Sequence, residues 1–152
     1  MSRSQLDEFH RKTADHLTRY GRTIIGVFPG EGDDSPAFSY TIGNTSQGFP
    51  ELLVIGSSHA PYLDDLSRLM IAAGKPFVEG QLVQVSMLRL PMKVVRAGNA
   101  ARDLYTIQVG EFYGHQDYAI LQLLISDTDG RFPDEPGCAE PWSTFPVLGG
   151  LS

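Results

Sequence analysis

Leu6, Phe9, Thr13, Leu17 and Tyr20 recur at intervals of three and four, which predicts an amphipathic helix over about residues 5–20. Ser4 followed by Asp7 supplies the start signature and Gly21 the stop. From Thr23 to Phe28 the chain is β-branched and apolar, and Pro29 to Pro36 is a Gly/Asp loop. In the stretch Ala37 to Ile42, Phe38, Tyr40 and Ile42 alternate with Ser39 and Thr41. Strand, loop and strand follow from that pattern. Leu52, Leu53, Val54 and Ile55 run on without alternation after Glu51, between Pro50 and Gly56, which predicts a short strand buried on both faces at the sheet centre. Tyr62, Leu66, Leu69, Met70 and Ala73 form one stripe of a second helix, opened by Pro61 and closed by Gly74.

Between Leu82 and Val95 the alternation changes phase. Val83, Val85 and Met87 share one parity, whereas Leu88, Leu90, Met92 and Val94 share the other, so a bulge near Met87 is expected. Pro91 assigns this stretch to a sheet edge or a break. Leu104, Ile107 and Phe112 allow a short helix, Tyr118 to Ile125 reads as a strand, and Asp129-Gly130 supplies the turn that follows. Beyond Pro133 the prolines and scattered apolar positions predict an irregular tail. The elements sum to an α+β domain: a mainly antiparallel, strongly bent sheet packed against two to three helices.

Composition narrows the function classes. A chain of 152 residues suits one domain, residues 1–152, with its own core. The net charge of −6 is uneven: residues 1–22 hold five Arg or Lys against three Asp or Glu, and the remainder holds seven against fifteen. An acidic body without a basic stripe repels phosphate backbones, so no nucleic-acid partner is expected. No apolar run approaches the ~18 residues of a bilayer span and the start lacks a signal-peptide core, so the expectation is a cytoplasmic chain without a membrane partner. Cys138 stands alone and cannot form an internal disulfide or a cysteine-based metal site. His10 and His16 are six residues apart, about 120° around a helix axis, and cannot chelate as an i, i+4 pair. With His59 and His115 equally isolated in sequence, no metal and no cofactor are expected.

Several polar residues interrupt apolar motifs. Gln122 lies inside the run Ala119 to Ile125, where its amide must find a partner, either a ligand or a backbone group. Glu51 stands at the mouth of the buried strand; desolvation there would raise its pKa toward acid–base use, while backbone N–H groups or an arginine would make it structural. His115, in Tyr113-Gly114-His115-Gln116-Asp117, has a carboxylate neighbour and is a second acid–base candidate or an exposed loop residue. Asp127-Thr128-Asp129-Gly130 has two acids at calcium-loop spacing but lacks the remaining ligands of such a loop, and a hairpin turn explains it better. Tyr40, Thr41 and Tyr113 complete a candidate ligand-binding set with Glu51 and Gln122; as core aromatics with hydroxyls at the rim, the tyrosines have a structural reading too. There is no nucleophile elbow, P-loop or dinucleotide fingerprint, and the acids around Gly30-Glu31-Gly32 would repel phosphate.

Phe112-Tyr113-Gly114, Leu121-Gln122-Leu123, and Asp127 with Gly130-Arg131-Phe132-Pro133 stand in one order, preceded by Phe38-Ser39-Tyr40-Thr41-Ile42-Gly43 and Gly48-Phe49-Pro50-Glu51-Leu52. As a set they resemble a bacterial domain-of-unknown-function family, numbered 4262, over roughly residues 23–150, Pro146-Val147-Leu148-Gly149 included. The family pattern carries His at the place of Phe49 and Gln at the place of Phe145, so any role of those groups is absent here. The resemblance implies a fold and a site location, not a reaction. Three functions stay open. The first is a non-catalytic binding or interaction module, monomeric or a homodimer, with one polar-lined pocket for a small polar or cationic ligand. The second is a hydrolase- or transferase-type enzyme using Glu51 or His115 as acid–base group. The third is an acidic partner protein for a basic target.

Overall fold

In the computed structural model, which describes residues 2–149, the uninterrupted apolar run becomes β3 (Glu51–Ile55), with all five residues buried. Its neighbours are β2 (Phe38–Ile42), antiparallel, and β6 (Ile120–Leu124), parallel and equally buried. β1 (Thr23–Val27) extends the sheet beyond β2. On the other side β5 (Met92–Arg96) pairs with β6, and β4 (Leu82–Val83) with β5, all antiparallel. The order β1-β2-β3-β6-β5-β4 makes one six-stranded, mostly antiparallel sheet that does not close on itself.

The central strands need apolar cover on both faces, and they receive it. Leu52, Val54, Leu121 and Leu123 pack with Leu63, Leu66 and Met70 of α2 (Tyr62–Ala73). On the opposite face Leu53, Ile55 and Ile120 pack with Ala101 of α3 (Asn99–Tyr105), Val109 of α4 (Ile107–Tyr113) and Leu148, while Phe9 of α1 (Arg3–Tyr20) adds to the edge. A helical layer on each side is the consequence.

Five sequence expectations change. The first helix begins at Arg3, not residue 5, because Ser2 caps it: the Gln5 N–H donates to Ser2 Oγ at 3.2 Å and the Ser2 N–H to Gln5 Oε1 at 2.8 Å. A glutamine closes the capping box as well as the acid sought at Asp7. On α2 the stripe is rotated: Leu63 and Ser67 are buried and Leu69 is 58% exposed. The phase change after Leu82 is a full break, not a bulge, and the Gln84 amide spans it by donating to the carbonyls of Val85 and Leu88. The described chain has four α-helices, not two to three, because Thr106 at φ −115° and ψ 46° parts α3 from α4 while its Oγ1 donates to the Arg102 carbonyl. Finally, among the described residues no strand returns after Asp129-Gly130. Asp127 instead gathers the N–H groups of Asp129, Arg131 and Ala139, each at 2.9 Å, and folds the tail back.

Candidate functional site

Glu51 opens β3 with no exposed surface, so its carboxylate must be satisfied internally. Oε1 accepts from Thr41 Oγ1 at 2.8 Å and from the Asn44 N–H at 3.1 Å. Oε2 accepts from the Thr45 N–H at 2.8 Å, Thr45 Oγ1 at 2.6 Å, the Gly43 N–H at 3.4 Å and the Tyr113 hydroxyl at 3.3 Å. Backbone around the carboxylate makes this possible. Gly43 sits at φ +133°, where a Cβ would also come within 2.5 Å of the Gly21 carbonyl, so that position requires glycine.

The network continues inward. Asn44, fully buried, accepts from Arg22 Nε at 3.0 Å and donates through Nδ2 to Ser67 Oγ at 2.9 Å and to the Pro50 carbonyl at 3.2 Å. Arg22 Nη1 reaches Asp64 Oδ1 at 2.5 Å. The polar cluster thereby ties β1, β2, β3 and α2 together. Burial pushes the Glu51 carboxyl up from the ordinary glutamate range, and the Thr45, Thr41 and Asn44 donors oppose that push. Tyr113 is the half-buried member at the surface; its hydroxyl also accepts from Ser46 Oγ at 3.2 Å, and burial followed by the Glu51 charge raises its pKa. His115 stacks on the Tyr113 ring with centroids 5.8 Å apart and accepts the Asp117 N–H through Nδ1 at 3.0 Å.

Gln122 and Tyr40 lie elsewhere on the sheet. Gln122 Nε2 donates to the Pro146 carbonyl and Oε1 accepts the Leu148 N–H, both at 2.7 Å, so the amide behaves as one more rung of backbone and holds the tail against the sheet. The Tyr40 hydroxyl donates to Gln108 Oε1 of α4 at 3.2 Å, and burial raises its pKa. Thr41 and Tyr113 therefore meet at Glu51, while Tyr40 and Gln122 keep separate partners. Tyr40, Thr41, Glu51, Tyr113 and Gln122 line none of the five main cavities, and His115 lines a shallow one beside α4 with Asp103 and Glu111.

A polar cavity of about 310 Å³ lies one strand away, where β5 ends and β6 begins. Arg96, Asn99, Arg102, Gln116, Asp117 and Tyr118 line it. Arg102 is held in place: Nε donates to Asp103 at 2.9 Å, Nη1 to the Tyr118 carbonyl at 3.1 Å, and the guanidinium lies 5.1 Å from the Tyr118 ring centre. Arg96 and Asp117 have no ion pair and no side-chain hydrogen bond among the described residues.

A family model described as Domain of unknown function (DUF4262) matches residues 16–139. The chain belongs to that family. The match holds both the Glu51 network and the polar cavity, and it ends before Pro146 and Leu148, the partners of Gln122. No curated protein and no solved structure is similar enough to the chain to count as a match.

Within this DUF4262 domain, the sequence-based candidates and the cavity residues overlap little. Arg22, Asn44, Asp64 and Ser67 escaped sequence reasoning because their partners lie 22, 23 and 42 positions away. Arg96, Asn99 and Arg102 carry no spacing signal either. The one available hint was Asp117, the carboxylate that drew attention to His115. Among the described residues no group of three or more metal-ligating side chains converges, and no helix is long and apolar enough to cross a membrane.

Proposed function

We propose that the domain is a non-catalytic small-molecule-binding module whose ligand occupies the polar cavity between β5, α3 and the loop before β6. One observation carries this reading: charged and amide side chains with unused hydrogen-bonding capacity collect in that cavity, whereas the hydrogen-bonding groups of the Glu51 cluster are filled from within. Six donors and zero exposure favour Glu51 as the anchor of the sheet end over an acid–base group, since a reacting atom has no way to reach it. The cavity volume stands at the lower end of ligand pockets, which run from about 300 to 1,000 Å³. A small polar ligand fits that size. The lone cysteine and acidic surface are compatible with a cytoplasmic setting.

Thermal-shift measurements against amines, carboxylic acids, amino acids and nucleotides test the proposal, because a ligand that binds the folded state raises its melting temperature. At least one class should stabilise the wild type and not Arg96→Ala. A panel without any stabilising compound, or one whose effects persist in Arg96→Ala, would overturn it.

A further inference from the structure

The cavity at the β5–β6 end contains charges of both signs. Arg102 is already matched by Asp103, and its Nη1 is taken by the Tyr118 carbonyl. What remains is one unmatched cation, Arg96, and one unmatched anion, Asp117, on the wall of the same concavity and not bonded to each other. Both residues are exposed to solvent, and neither takes part in an ion pair among the described residues.

We infer that this cavity binds a small zwitterion, a free α-amino acid being the simplest kind, with its carboxylate on Arg96 and its ammonium on Asp117. The inference rests on the reading of this cavity as the ligand site. Charge matching decides the class. A simple anion would satisfy Arg96 and be repelled by Asp117; a simple amine would satisfy Asp117 and be repelled by Arg96. A zwitterion meets both at once, and a guanidinium takes a carboxylate in two parallel hydrogen bonds. Arg102, fixed by its two internal partners and matched by Asp103, forms a rigid part of the cavity wall. Asn99 and Gln116 supply amide groups that donate to a carboxylate or accept from an ammonium. A cavity of about 310 Å³ leaves room for a side chain of modest size.

The test uses the full chain and three matched sets of probes: free amino acids, their N-acetyl derivatives, which retain only the anion, and their methyl esters, which retain only the cation. Calorimetric titration should show at least one free amino acid binding ten or more times more tightly than either of its derivatives. Arg96→Ala should remove that binding. Asp117→Asn, whose side chain makes no contact that the fold needs, should bring the free and N-acetyl forms within about threefold of each other. Equal binding of the free and N-acetyl forms to wild type would make this an anion site, and equal binding of the free and ester forms a cation site; either result overturns the zwitterion and leaves the cavity as a ligand site. If no probe of the three sets binds, the zwitterion is overturned; if the wider panel of amines, acids and nucleotides also gives nothing, the binding reading falls with it.

Discussion

Two polar regions share one end of the sheet, a single strand apart, and they are finished in opposite ways. Around Glu51 every hydrogen-bonding position is used: three backbone N–H groups and three hydroxyls converge on one carboxylate, and Asn44 and Arg22 carry the bonding on to α2. Across the Glu51–Ile120 pairing, Arg96 and Asp117 face a cavity with their charges unspent. Buried polar groups are costly unless bonded, so the first region had to be completed by the fold. Water can satisfy the second, which frees it to exchange water for a ligand. Proximity to a sheet end does not by itself decide how a polar group is satisfied; the two regions differ in how far the fold has filled their hydrogen-bonding capacity.

The largest test of this contrast is Glu51→Ala. Removing the acceptor strands the N–H groups of Gly43, Asn44 and Thr45, each costing roughly 1–3 kcal/mol if left unpaired, so chemical denaturation should show a loss of about 4 kcal/mol. A loss below about 1 kcal/mol would mean the cluster is not the anchor described. Gln122→Ala should cost less, about 2 kcal/mol for two backbone hydrogen bonds, and should speed amide exchange at Leu148, whose N–H it holds. Unaltered exchange there would separate Gln122 from the tail.

Asp127 sharpens the comparison through pH. The Ala139 and Arg131 N–H groups hold its carboxyl below the ordinary value of 3.8, so its contribution is present above that pH and is lost as pH falls through the depressed value. Glu51 has the opposite sign: raised by burial from 4.5, it favours the folded state most below that pH and less as pH rises through its elevated value. The stability gap between wild type and Asp127→Asn should therefore be open at neutral pH and close in strong acid; a gap that does not change with pH would show that the charge contributes nothing. Smallest of all are Arg96→Ala and Asp117→Asn, which should stay within about 0.5 kcal/mol of wild-type stability, as surface substitutions do. A loss of several kcal/mol in either would show that the open cavity is as structural as the closed cluster.

Much of the architecture was legible from periodicity. The continuous run after Glu51 led to a central strand, the stripe from Tyr62 to a helix, and Gly21 and Gly74 to helix ends, because burial and backbone preference act over a few residues. Boundaries depended on subtler competition: Gln5 could close a capping box as readily as Asp7, and Thr106 broke a helix that its neighbours favoured. For the polar residues, the sequence established that Glu51 and Gln122 had to find partners, since both interrupt apolar strands. It could not say whether those partners were ligand atoms or protein.

That choice was made in three dimensions. Gly43 to Thr45 turn their N–H groups onto Glu51, and the tail comes back from Pro146 and Leu148 to fill Gln122, while Arg96 and Asp117, 21 positions apart, come to line one cavity without an ion pair among the described residues. Local sequence determines which groups are polar and roughly where strands and helices form. Whether a polar group ends up filled or free depends on contacts between distant segments, and only the folded chain brings those segments together.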